Sequence, residues 1–152
     1  MRLCWVTGIH EDFLTLAHEL DNHLRQVNGD RQVCYEAYNQ MNAQIEVALL
    51  YDNDAPIACG ALRLHGQDQA EVKRMYVRPA YRHRGLAKQL LATLEARAYE
   101  HGCDRLFLET SPLMLDAVAL YHSYGFTEIP KYGPYCNLPS LCLGKPVQAS
   151  KP

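Results

Sequence analysis

Arg82-His83-Arg84-Gly85-Leu86-Ala87 is the stretch on which the reading of this 152-residue chain turns. It follows an apparent strand over residues 71–77 and opens an amphipathic pattern in which Ala87, Leu90, Leu91, Leu94 and Ala98 share a helical face, with Lys88, Gln89 and Glu95 on the others. Two arginines, a glycine that admits close backbone approach and the unpaired amides of a helix N-terminus suit a phosphate chain. A glycine turn of this kind also caps ordinary helices, so the flanking sequence has to decide.

Outward from the turn, the chain reads as one mixed α/β unit. Residues 2–7 form a first strand. Phe13, Leu16, Ala17, Leu20, Leu24 and Val27 recur at helical spacing until Asn28-Gly29. A short helix is expected over residues 34–41. Strands follow over 45–51 and 57–64, joined through the turn formers Asp52-Asn53-Asp54-Ala55-Pro56, and a third over 71–77 is closed by Pro79. His101-Gly102 ends the helix that the glycine turn begins. Leu106-Phe107-Leu108 reads as a central strand covered on both faces. Residues 115–124 form another helix, stopped by Gly125, and final strands are expected over 126–129 and 138–143. The domain is taken as residues 1–146, with 147–152 a frayed tail.

A formal net charge of −2 gives no global attraction to nucleic acid or anionic membrane. No apolar run approaches bilayer length, and the N-terminus reads as a strand, not a secretory signal. The six cysteines are scattered without a CxxC pair, which favours reduced thiols in a cytoplasmic protein. The histidines show no metal-ligand spacing, so no metal is expected.

A second motif, Leu120-Tyr121-His122-Ser123-Tyr124-Gly125-Phe126, lies beyond the central strand, its Tyr121 34 positions after Ala87. Together with Arg82, Gly85 and Ala87 in an Arg-x-x-Gly-x-Ala turn, this order resembles the GCN5-related N-acetyltransferase (GNAT) superfamily, in its small bacterial form. The resemblance implies a central, mostly antiparallel sheet of about six to seven strands, splayed at the coenzyme site and flanked by about four helices. It implies acetyl-CoA as co-substrate, its pyrophosphate on Arg82, His83, Arg84, Gly85, Leu86, Ala87 and Lys88. Its pantetheine arm would pair with the backbone of Met75, Tyr76 and Val77, where a bulge would free the amides. A nucleotide-binding fold of another kind fails on motif order, since no Walker lysine-serine pair follows the glycine.

Acetyl transfer to an amine needs a poised neutral amine, a stabilised oxyanion and a protonated leaving thiolate. The resemblance makes Tyr121 the acid. Glu71 is the first candidate base and Glu109 the second. Glu71 also reads as a solvent-facing strand residue or a partner of Lys73 or Arg63, and Glu109 as a substrate ligand or loop cap. Lys73 and Arg74 read as helpers at the phosphates or as a solvated basic edge. Asn53 and His65 fall in turns and are given no role. Tyr35 and Asn39, with Tyr132 and Tyr135, are candidate acceptor-binding residues. The expected acceptor is a small-molecule amine, polar or amino-acid-like. The alternatives are a protein or peptide N-acetyltransferase and a non-catalytic acyl-CoA sensor on the same fold. The resemblance allows a homodimer.

Overall fold

Val47, Leu49 and Tyr51 point one way from their strand and Ala48 and Leu50 the other, yet all five are buried. A strand apolar on both faces must lie between two layers. The computed structural model, which describes residues 1–29 and 42–149, has that architecture. In chain order the elements are β1 (Arg2–Thr7), α1 (Glu11–Asn28), β2 (Glu46–Asp52), β3 (Ala55–His65), β4 (Gln69–Val77), α2 (Leu86–Glu100), β5 (Arg105–Thr110), α3 (Leu115–Tyr124), β6 (Thr127–Glu128) and β7 (Leu141–Pro146). The seven strands form one sheet in the order β1-β2-β3-β4-β5-β7-β6, antiparallel except between β4 and β5.

One core lies under α1, where Phe13, Leu16 and Leu20 meet Val47, Leu49, Cys59 and Tyr76. The other lies under α2 and α3, where Leu90, Leu91 and Leu94 meet Leu50, Leu62, Leu106 and Phe126. α1 starts where the His10 side chain accepts a hydrogen bond from the Asp12 amide at 3.1 Å. Gly29, at φ +57°, ends it. Gly125, at φ +118°, ends α3 in a left-handed conformation.

Two features open the sheet at its centre. The parallel β4–β5 ladder runs only from Gln69↔Arg105 to Glu71↔Phe107, after which the two strands diverge. β4 also carries a bulge: Cys59 pairs with Tyr76 and Ala61 with Lys73, so Arg74 and Met75 face Gly60 alone. Arg74 takes φ +57° there. The expected splay and bulge are both present.

The three helices found among the described residues match the periodicity, while the short helix expected over 34–41 lies outside them. The final strands differ from expectation. β6 is only two residues long, and residues 133–137 form a single 3-10 turn, which delays β7 to Leu141. Pro134 inside that segment cannot join a ladder. The β2–β3 connection is tighter than expected, with Asp52 opposite Ala55 and Asn53 at φ +53°. Glu95 is not on a solvated face but 7% exposed. Past β7, the Val147 amide donates to the Asp104 carbonyl at 2.9 Å and the Gln148 amide to Glu95 at 2.8 Å.

Candidate active site

Where β4 leaves the sheet, Arg78 to Arg82 turn through a single 3-10 turn and the chain enters α2 through Gly85 at φ +77°. The Arg82 amide still donates to Pro79 and the Gln89 amide to Gly85. The amides of residues 83–88 meet no backbone acceptor among the described residues, which leaves a ring of donors around a helix N-terminus. The loop is held from behind. Arg82 Nε donates to the Val77 carbonyl at 2.9 Å, and Arg78 pairs with Glu19 at 2.7 Å. A Cβ built on Gly85 meets nothing within 4 Å, so it is the left-handed backbone that favours glycine there.

These amides face a cavity of about 460 Å³. Met75, Tyr76, Val77, Arg82, His83, Gly85, Leu86, Ala87 and Lys88 all line it, and so does Tyr121. Arg84 does not line it; its guanidinium lies over the Tyr81 ring, 5.2 Å from the centroid. His23, Asp116 and Ser123 also line the cavity. His23 and Asp116 carry no motif and Ser123 is an unspecified position inside the second one, so the packing of α1 and α3 is what brings them there. Bare amides, Lys88 and an apolar wall of Met75, Val77 and Leu120 fit a pyrophosphate joined to a pantetheine arm.

A smaller cavity of about 110 Å³ continues from Tyr121 through the gap between β4 and β5. Lys73 and Glu109 enter it from the α1 side of the sheet, and Met75, Met114, Ala117 and Tyr121 are shared with the larger cavity. Burial pushes the Glu109 carboxyl up to about 7, against the lowering effects of Ser140 and the Lys73 ammonium. Burial likewise raises the Tyr121 hydroxyl well above its ordinary range, and the Glu109 charge adds to it. The Tyr121 ring packs edge-on to Phe126, with centroids 5.8 Å apart.

Glu71 lies one step behind this gap, in a third cavity of about 460 Å³ that shares Lys73 with the second. It is 3% exposed and fully engaged. Oε1 is 2.9 Å from His65 Nε2, and Oε2 accepts from the Tyr132 hydroxyl at 2.8 Å with Lys73 Nζ 3.7 Å away. His65 therefore ends β3 as a partner of Glu71, contrary to the turn position expected for it. Lys73 and Arg74 are each 7% exposed and belong to the α1 face, not to the phosphate turn or a solvated edge. Tyr132 and Tyr135 line the third cavity; Tyr35 and Asn39 lie outside the described residues. No cluster of His, Cys, Asp and Glu that could hold a metal ion occurs among the described residues.

Comparison with known proteins agrees with this geometry. The profile of the acetyltransferase (GNAT) family matches residues 13–126. A curated relative, "IAA acetyltransferase" of Azospirillum brasilense, is 36% identical over 60% of this chain and 61% of its own length. The chain thus spans less than two thirds of that relative. A Klebsiella pneumoniae structure, provisionally named an acyl-CoA N-acyltransferase, superposes with a TM-score of 0.81 at 26% identity, covering 97% of both chains. A GNAT family acetyltransferase from Elizabethkingia anophelis with acetyl-CoA bound has a TM-score of 0.69 at 18% identity, covering 95% of this chain and 97% of its own.

Proposed function

Because the chain belongs to the acetyltransferase (GNAT) family, we propose that it moves an acetyl group from acetyl-CoA to the primary amine of a small acceptor. The observation that carries this reading is the passage from the amide ring at residues 83–88 to a gap where Tyr121 and Glu109 line the same cavity. Acetyl-CoA supplies the thioester. Residues 83–88 hold its pyrophosphate, and the unpaired edge of β4 beyond Glu71 holds its arm. Glu109, with a carboxyl raised to about 7, takes the proton from the attacking ammonium and leaves a neutral nitrogen. As the new C–N bond forms and the C–S bond breaks, Tyr121 gives its proton to the departing sulfur, and the second proton that the nitrogen loses on becoming an amide returns to the tyrosinate. The high Tyr121 value keeps that proton in place until it is needed. Glu71, with both oxygens occupied, is assigned to holding Lys73, His65 and Tyr132, not to the proton.

Thiol release from acetyl-CoA tests this. Tyr121→Phe is expected to lower kcat by about 10²–10⁴-fold with acetyl-CoA affinity retained. For wild type, kcat/KM is expected to rise with pH through about 7, and Glu109→Gln to lose that limb. If Glu71→Gln abolishes the limb while Glu109→Gln keeps it, the base is Glu71. Tight coenzyme binding with no release from any acceptor would instead support an acyl-CoA sensor.

A further inference from the structure

The third cavity has a composition that the proposed chemistry does not use. Register places its residues in rows across the sheet. Arg63, Glu71 and Phe107 lie opposite one another on β3, β4 and β5, and Ala61 and Lys73 form the next row, while Glu109, two residues past Phe107 on β5, lies beyond the end of the β4–β5 ladder. Rows facing the same side are about 7 Å apart along a strand. The cavity therefore begins one pleat behind Glu109 and extends away from Tyr121, with Lys73 at the junction.

Its walls are aromatic. Phe107 meets Tyr132 edge-on at 4.8 Å, Tyr132 meets Tyr135 at 5.4 Å, and His65 meets Phe107 at 4.9 Å. Its rim is cationic: Arg63 comes from β3 and Arg105 from β5, on either side of β4, and neither makes an ion pair with a described carboxylate. Against Arg63, Arg105 and Lys73 stand only Glu71 and Glu109 among the described residues lining the two cavities, and Glu109 is partly protonated near neutrality. Lys73 Nζ donates one hydrogen bond to the Tyr135 hydroxyl at 3.2 Å and faces Glu71, which leaves a third N–H for a ligand. A bare ammonium or a polyamine entering here meets net positive charge in a partly desolvated space. A molecule that brings its own anion neutralises it.

We propose that the acceptor carries a carboxylate as well as its amine. The amine lies at Glu109 and Tyr121, the carboxylate is held by Arg63 and Arg105 with Lys73 at the junction, and an apolar or aromatic body rests on Phe107 and Tyr132. This rests on the transferase reading above and narrows its substrate to amino-acid-like molecules. Polyamines, aminoglycosides and lysine-rich peptides are excluded.

Matched acceptors test it: L-phenylalanine against phenethylamine, L-leucine against 3-methylbutylamine, and spermidine as the polycation. The carboxylated member of each pair is expected to lead in kcat/KM by about tenfold or more, with spermidine last. In Arg63→Ala/Arg105→Ala this preference is expected to collapse through KM, while Arg63→Lys/Arg105→Lys keeps part of it. Calorimetry with acetyl-CoA and a melting curve show that the variant still folds and binds coenzyme. Turnover that favours phenethylamine or spermidine, or a preference that survives the double alanine variant, overturns the inference and leaves the transferase intact. Should no acceptor release thiol, binding of N-acetyl-L-phenylalanine with CoA present, followed by NMR, still decides. Binding lost in the double variant supports the carboxylate site, and no binding by wild type overturns it.

Discussion

Glu109 shows how burial at one residue sets both chemistry and stability. Its folded carboxyl lies at about 7 against an ordinary 4.5, chiefly because burial penalises the charged form. Between those values the native state holds a proton that the unfolded chain has released, so folding stability falls as pH rises through that window and stays lowered above it. Glu109→Gln removes the penalty. Its Tm is expected to exceed wild type by roughly 4 °C at pH 8, taking about 1–2 kcal/mol regained at 2–4 °C per kcal/mol, with the gain vanishing near pH 4.5. Parallel melting curves at pH 4.5 and 8 would show it; identical curves would mean the carboxyl is solvated. Tyr121 was legible from its motif because neighbours in sequence surround it. Glu109 was legible as a second candidate base at a strand end, but its burial was not, since β7, which it faces through Cys142, and Ser140 come from elsewhere in the chain. The partnership of Glu71 with His65 and Tyr132 was hidden for the same reason: Tyr132 lies 61 positions away.

At the scale of elements, the bulge in β4 is held by its own side chain. Arg74 sits at φ +57°, a conformation that disfavours any residue with a Cβ, while its guanidinium donates to the Ala17 carbonyl at 2.9 Å and to Asp21 at 2.7 Å. α1 thus clamps the strand at its bulge. Gly60 permits the arrangement from the other side, since a Cβ there would lie 2.6 Å from Met75 Sδ. Removing the clamp with Arg74→Ala is expected to destabilise the fold by about 2–3 kcal/mol, through a lost charge-assisted pair and an unpaired carbonyl. Arg74→Gly loses the same contacts but adopts the left-handed backbone freely, so it should be more stable than Arg74→Ala by about 1 kcal/mol. That order reverses the usual disadvantage of glycine inside a strand. Chemical denaturation of both variants measures it, and an alanine variant as stable as the glycine one would show that the bulge does not strain Arg74. The sequence suggested a bulge from the site's need for free amides, but not the residue that bends. No local pattern marks a left-handed arginine, because its cost is offset by a helix 53 positions earlier.

For the whole molecule, the opening between β4 and β5, assigned above to the coenzyme, also divides the sheet. β1–β4 and β5–β7 share just three residue pairs, Gln69↔Arg105 to Glu71↔Phe107. Cohesion beyond that ladder has to come from the helix layer. α2 packs on β2, β3 and β4, and through Glu95 it reaches the other half. Burial alone would raise the Glu95 carboxyl, but the Lys145 ammonium, the Gln148 amide and the Tyr124 hydroxyl together hold it below its ordinary value. Those donors lie on β7, on the chain just past it and on α3, so one carboxylate ties α2 to the second half of the sheet. The periodicity of α2 placed Glu95 off its apolar face; the partner that buries it, Lys145, comes 50 residues later and could not be read there. A lowered carboxyl contributes stability above its unfolded value near 4.5, and the contribution is lost as pH falls through the folded value. Lys145→Ala leaves that carboxylate buried without its cation and is expected to destabilise by about 3–5 kcal/mol at pH 7, and by less at pH 4. Hydrogen exchange should lose protection in β5 and β7 before β2 and β3, since α2 stays attached to the first half. The double substitution Glu95→Leu/Lys145→Met removes both charges and should recover much of the loss, because an apolar pair leaves nothing unsatisfied except the Gln148 amide and the Tyr124 hydroxyl near solvent. Protection lost evenly across all seven strands would mean that the two halves unfold as one unit and that the three-pair ladder suffices to join them.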